Sequence, residues 1–136
     1  MILHNDIANA IGKHLHDAAL GYPIHWQGDE NAPPARPYIL FEYLPTGGTD
    51  RALTGGSEAV EGYCMASLMG EGGGGPMVAP AARSSADEIR AAFIASPRRI
   101  LSVTGGKVLI RSARLLQGYH DGAGYRVPVR IDFRAF

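Results

Sequence analysis

Cysteine is almost absent from this chain: Cys64 is the one thiol in 136 residues. A lone cysteine closes no internal disulfide and supplies no cysteine-based zinc site. Long apolar runs are missing too, and none approaches the ~20 residues needed to span a bilayer, so no membrane association is expected. His4, Asn5 and Asp6 interrupt the opening stretch where the apolar part of a signal peptide would lie, so Met1 to Leu20 is not read as one. Net charge is also lacking, since 13 basic and 13 acidic side chains balance to zero. That balance argues against a general nucleic-acid binder. The default is a soluble protein in a reducing compartment.

What is present is globular in character. Hydrophobic residues make up 46% and charged residues 19% of the chain, which is a core-forming rather than a disordered composition. The length fits one domain over residues 1–136. The zero charge conceals a split: residues 1–97 hold 5 basic and 11 acidic side chains, residues 98–136 hold 8 and 2. Either the halves neutralise each other inside the fold, or the protomer has an acidic and a basic side suited to head-to-tail ring contacts.

The closing stretch has the clearest pattern. Tyr125, Val127, Val129, Ile131, Phe133 and Ala135 alternate with Arg126, Pro128, Arg130, Asp132, Arg134 and Phe136. A period of two predicts a strand with one face in the core and a basic strip on the other.

Ile2 to Leu20 predicts a helix with Leu3, Ile7, Ala10, Ile11, Leu15 and Ala18 on one stripe and Asn5, Asn9, Lys13 and His16 opposite. Gly21 and Pro23 stand where the helix should stop. Ile24 to Gln27 reads as a short strand and Gly28 to Pro37 as a loop. Tyr38 to Leu44 and Ala59 to Met69 read as strands with apolar side chains on both faces. Between them, Pro45 to Glu58 carries two Gly-Gly pairs around Asp50-Arg51 and reads as an exposed connection of functional length. Gly70 to Gly75, with glycines around Glu71, is a flexible turn.

Two signals compete for the start of the second helix. Pro80 suits a first helical position, whereas Ser85 with Glu88 resembles a capping box. Ala82, Ala86, Ile89 and Phe93 keep helical spacing across the disputed stretch, which favours a start near Pro80; Pro97 ends the helix. Ile100 to Val103 and Lys107 to Gln117 flank a hairpin turn at Thr104-Gly105-Gly106, and Gly118 to Gly124 is a turn before the terminal strand. The expected fold class is α+β, with two helices packed on a mostly antiparallel sheet of about four to six strands.

Catalytic chemistry finds little support. Gly72 to Gly75 lacks the Lys and Ser or Thr of a phosphate loop, and Glu71 would repel phosphate. His14 and His16 point about 200° apart on a helix and cannot share a metal there, while His4, His25 and His120 lack partners at ligand spacing. Cys64 sits among apolar strand residues. Ser84 and Ser85 are explained by capping, and Asp87 and Glu88 by the helix dipole. No enzyme activity, cofactor or metal is therefore expected. The remaining candidates are Arg126, Arg130 and Arg134, joined by Arg111 if the preceding strand pairs in a compatible register. They form a solvated face with Asp132 pairing across it, a contact for an acidic subunit surface, or a lining facing phosphates. Without interleaved aromatics such a lining attracts phosphate but reads no base.

Five features, in order, carry a resemblance. They are the amphipathic first helix; Pro23-Ile-His-Trp26 with Arg36-Pro-Tyr-Ile-Leu-Phe41; Gly62-Tyr-Cys-Met65 before the glycine turn; Ala86-Asp-Glu-Ile-Arg-Ala-Ala-Phe93; and Tyr125 to Phe133. Together they resemble the tail terminator, or tail completion, proteins of long-tailed bacteriophages and the related neck and tail-tube components. The resemblance implies a virion-tail protein, made in the bacterial host cytoplasm, that forms a ring, commonly a hexamer. Such a ring caps the tail tube, stops its polymerisation and presents a surface to the head-tail connector protein. The implied partners are other copies of the chain, the tail-tube protein and the connector, with non-specific contact to DNA passing through the lumen. Loops holding Thr46, Gly47, Gly48, Asp50 and Arg51, and Gly72, Gly73, Gly74 and Gly75, would order on assembly. A head-closure or tube subunit is the alternative, and a small metal-dependent hydrolase a more distant one.

Overall fold

The computed structural model describes residues 2–18, 20–49, 59–73, 75–94, 100–122 and 124–136, excepting the side chains of 46–49. The 3.6-residue stripe near the start folds as helix α1 (His4–Asp17), which buries Ile7, Ile11 and Leu15 and leaves Asn5, Asn9, Lys13 and His16 exposed. The helix is shorter at both ends than the stripe predicts. Leu3 precedes it without a side-chain cap, and Gly21, at φ +84°, turns the chain four residues beyond its last one.

Helix α2 (Val78–Ile94) buries Ala82, Ala86, Ile89 and Phe93. Its early start places Pro80 in the first turn, where a missing N–H costs nothing. The capping role predicted for Ser84 and Ser85 is therefore incorrect. Both lie inside the helix, and Ser85 Oγ accepts a 2.9 Å hydrogen bond from the Tyr22 hydroxyl. His14 ties the helices together: its Nε2 lies 2.7 Å from the Ala92 carbonyl, and its ring meets Phe93 edge-on. No helix among the described residues is long and apolar enough to cross a membrane.

The strands are β1 (Ile24–Trp26), β2 (Tyr38–Thr49), β3 (Ala59–Gly70), β4 (Ile100–Val103), β5 (Gly106–Leu115), β6 (Tyr119–Asp121), β7 (Gly124–Val127) and β8 (Val129–Ala135). They form a curled sheet in the order β1-β2-β3-β8-β5-β4, with β7 continuing β8 alongside β3 and β6 pairing β7. The expectation of a four-to-six-strand sheet is thus corrected to eight strands in a mixed sheet, although the class remains α+β. Two additions account for the difference. The segment predicted as a plain turn contains β6, and Pro128, which has no N–H to donate, divides the closing strand into β7 and β8. The sheet is mixed because β1 pairs parallel with β2. A loop, and not a hairpin, connects them.

Strand β2 also runs further than predicted, so Pro45 to Thr49, expected in a connection, continue the strand. Its edge is blunted where β1 ends. The Tyr43 N–H donates to Gln27 Oε1 at 2.8 Å, and Pro45 offers no donor, so a further strand finds little to pair with there.

One face of the sheet and the two helices enclose the core. Val127, Val129, Ile131, Phe133 and Ala135 are all at most 1% exposed, as the period of two predicts. Tyr43 stacks on Phe133 with ring centroids 5.6 Å apart. Burying a side chain of this size contributes about 1.5–3 kcal/mol.

Candidate functional site

The sheet face opposite the helices carries the arginine strip. Register fixes its members: Met69 pairs with Arg126, Met65 with Arg130, Tyr63 with Asp132 and Glu61 with Arg134. Four residues of strand separate successive arginines, so the strip runs about 26 Å from Arg126 to Arg134. On the far side of β8, Ser112 pairs with Asp132 and Arg114 with Arg130.

Arg111 occupies a β-bulge. The register of β5 shifts between Ile110 and Ser112, so Val108, Ile110 and Ala113 face the core. The extra residue of a bulge is unpaired, and here it reaches the strip: Arg111 Nη1 lies 3.9 Å from Glu61 Oε1. The same carboxylate oxygen is 3.9 Å from Arg134 Nε.

Asp132 is shared in the same way. Its Oδ1 accepts from Arg130 Nε at 3.1 Å and its Oδ2 from Ser112 Oγ at 3.0 Å, while Arg114 Nη2 stands off at 4.0 Å. The Arg130 guanidinium also lies over the Tyr63 ring, 3.9 Å from its centroid, a cation–π arrangement. At the other end Arg126 Nη2 donates to Glu42 Oε1 at 3.2 Å and to the fully buried Ser67 Oγ at 3.1 Å. The Nε atoms of Arg126 and Arg134 are buried without a hydrogen-bond partner among the described residues.

Arg111, Arg126, Arg130 and Arg134 therefore share one face, and each has an acidic neighbour within the chain. Sequence reasoning missed Arg114, Ser112, Glu42 and Glu61 as members of this face. Alternation along β3 places Glu61 with Tyr63 and Met65, so that signal was available. Arg114 was hidden by the bulge.

Of the predicted assembly residues, Gly47 and Gly48 lie in β2 opposite Glu61 and Val60, with Thr46 beside them. Gly72, Gly73 and Gly75 lie between β3 and α2. Asp50, Arg51 and Gly74 fall outside the described residues.

Other features of the chain offer less chemistry. Burial pushes the Cys64 thiol up to about 12, so at neutral pH it is a protonated thiol and no nucleophile. No group of three or more His, Cys, Asp or Glu side chains among the described residues could hold a metal ion. A cleft of about 530 Å³ between α1 and the β1–β2 edge is lined by Asn5, Asn9, Lys13 and Trp26. Its one cation is already engaged, because Lys13 Nζ lies 2.6 Å from Asp17 Oδ2.

The face is thus a strip of arginines bridged by the shared carboxylates of Glu61 and Asp132. The phage tail terminator protein family model matches residues 6–133. The chain belongs to that family. As a tail terminator family member it is a structural component of a phage tail. No curated protein matches the sequence. The fold recurs in a solved chain with 22% identity and a TM-score of 0.75, covering 100% of this chain and 97% of the other. That likeness concerns the fold alone.

Proposed function

We propose that copies of this tail terminator family member form a ring, of six subunits by resemblance, that caps the finished tail tube. The ring stops tube polymerisation, with one side meeting the tube protein and the other the head-tail connector. Assembly takes place in the host cytoplasm, and DNA leaving the head passes through the ring with only non-specific contact. Family membership supports the tail role.

The observation that carries the reading is the arginine face itself. It offers five arginines against three carboxylates, Glu42, Glu61 and Asp132, on the side of the sheet away from the helices. The surplus of positive charge favours a partner with acidic groups. The residues proposed for the subunit or lumen contact are Arg111, Arg126, Arg130 and Arg134. Loops around Asp50–Arg51 and Gly72–Gly75 are proposed to order on the neighbouring rings.

A length-control assay tests the function. Purified protein added to polymerising tail-tube subunits should fix tube length and appear in negative stain as a ring with a central hole at one end. Tubes that lengthen by incorporating the protein would instead identify a tube subunit, and tubes that ignore it would refute capping.

A further inference from the structure

We infer that neighbouring subunits of the proposed ring meet head to tail, with Asp87 and Glu88 of one copy seated in the arginine-rimmed depression on the sheet of the next. The inference rests on the ring reading above and assigns it a specific pair of surfaces.

The positive charge on the sheet becomes more accessible toward β5. Side-chain exposure rises from 20% at Arg126 through 32% at Arg130 and 39% at Arg134 to 56% at Arg111 and 60% at Arg114. The two most exposed guanidinium groups hold only long contacts, 3.9 Å to Glu61, the same as that of Arg134, and 4.0 Å to Asp132. Both distances exceed hydrogen-bond range, so these donors remain available to a further carboxylate. Around them lies a depression of about 450 Å³, lined by Glu61, Arg111, Ser112, Arg114, Arg130 and Asp132. It has room for acidic side chains from outside.

The acidic groups of the described residues point to the occupant. Glu42, Glu61 and Asp132 belong to the arginine face. Asp17 is engaged by Lys13, and Asp29 Oδ1 accepts the backbone and side-chain N–H groups of Asn31, each at 2.9 Å. Glu30 follows Asp29 in the connection between β1 and β2, Glu71 is a single acid in the connection before α2, and Asp6 and Asp121 are single acids that are only partly exposed. Asp87 and Glu88 are the adjacent exposed pair carried on a helix, in the middle of α2, and they have no ion pair among the described residues. Arg83, one turn earlier, and Arg90, whose Nε donates to the Ala113 carbonyl at 3.0 Å, balance the pair in number, so the helix is neutral as a whole and its negative charge is local to positions 87 and 88. A pair held on a helix loses little freedom on docking.

Placement then decides the symmetry. Helix α2 packs on the core face of the sheet through Ala82, Ala86, Ile89 and Phe93, whereas the depression opens on the opposite face. One two-fold contact cannot engage both surfaces of both copies, so each contact leaves a free helix at one end and a free depression at the other. Such a heterologous interface closes into a ring or continues as a filament.

A charge swap tests this under the conditions in which the wild-type protein forms rings, alone or on tubes. One variant carries Arg111→Glu and Arg114→Glu; the other carries Asp87→Arg and Glu88→Arg. All four positions are exposed, so both variants should keep the wild-type circular dichroism and melting. Each alone should lose at least about tenfold in ring yield, because like charges then face each other. An equimolar mixture should recover rings, since the acidic helix of the first variant meets the basic depression of the second, and the reverse. The four-substitution chain should recover them too. Rings that persist in both single variants, or a loss that neither the mixture nor the four-substitution chain repairs, overturns the inference but leaves the ring standing. The second result would hold even if the arginine face proved to bind tube protein or duplex DNA. A wild-type protein that never forms a ring, with or without tubes, removes the ring reading itself.

Discussion

Replacing Gly62 by alanine should destabilise the protein, and the structure decides the sign. Gly62 is not among the glycines in left-handed backbone, so on conformational grounds alanine would be favourable. Restricting the unfolded chain there is worth about 0.4–1 kcal/mol. Space is the opposing term. A Cβ on Gly62 would stand 2.9 Å from the Leu44 carbonyl oxygen, 2.9 Å from Pro45 Cα and 3.0 Å from Phe133 Cζ. Two of these are backbone atoms of the neighbouring strand, at the register shift between Pro45 and Gly47, and the third belongs to a ring stacked on Tyr43. None can swing away, so the overpacking cost of about 1–3 kcal/mol should exceed the gain. The net loss of about 1–2 kcal/mol would lower the urea midpoint by roughly 0.5–1 M at a slope of about 2 kcal/mol/M. Gly75→Ala is the control, because nothing lies within 4 Å of its added Cβ, and its midpoint should be unchanged or slightly higher. An equal or higher midpoint for Gly62→Ala would refute the close-approach reasoning.

Arg126→Met should cost about 1–2 kcal/mol, because it leaves Glu42 unpaired and the buried Ser67 without its donor. In a urea-melting cycle with Glu42→Gln the two positions should couple by about 1 kcal/mol; additive losses would show the pair to be idle. Arg130→Glu should fold, since the side chain is 32% exposed, but lose assembly, as read by light scattering with tube protein. An unfolded variant would contradict that placement. Cys64 should resist thiol reagents in the native state and react fully in urea; rapid native labelling would disprove its burial. Burial raises both Cys64 and Tyr43 to about 12 from ordinary values of 9.0 and 10.0, the Cys64 thiolate adding to the Tyr43 shift. A folded-state pKa above the unfolded one contributes stability below the unfolded value, and that contribution disappears as pH rises through the folded value. The urea midpoint should therefore fall between about pH 9 and pH 12, and the fall should shrink in Cys64→Ala.

The longest patterns were the most legible. Ala82, Ala86, Ile89 and Phe93 at helical spacing, and Val127 to Ala135 at strand spacing, end up buried as their periods require. Shorter patterns were read unevenly: the short strand expected at Ile24 to Gln27 is present as β1, whereas β6 was read as a turn. A three-residue strand such as β6 contains a single alternation, which a turn mimics equally well. The parallel pairing of β1 depends on how the loop over residues 27–37 returns, which local sequence does not record. Arg36, within that loop, donates to the carbonyls of Gly70 and Asp121 at 3.2 and 3.4 Å. It thus ties three distant segments together, and nothing in its neighbourhood announced that role.

The candidate site shows where period counting fails and why. Strict alternation through β5 would put Arg111 on the arginine face and Arg114 in the core. One extra residue at the bulge delivers both arginines to the same face, with Ala113 filling the core position between Ser112 and Arg114. The charge split along the chain resolves in a similar way. Arg126 meets Glu42, and Arg111 and Arg134 meet Glu61, so basic residues of the last segment are paired with acids of the first inside one fold. That internal neutralisation accounts for part of the split. It stops at β5, where Glu61 has Arg111 and Arg134 both at 3.9 Å, and Asp132 binds Arg130 while Arg114 stands off at 4.0 Å. The bulge therefore creates the unneutralised charge, by bringing one arginine more to the face than alternation alone would supply. Deleting Arg111 joins Ile110 to Ser112 and restores plain alternation, with Ala113 still in the core and Arg114 still on the face. That variant should keep its melting and lose only part of its assembly, whereas Arg111→Glu with Arg114→Glu should abolish assembly. A deletion variant that unfolds would refute the bulge reading.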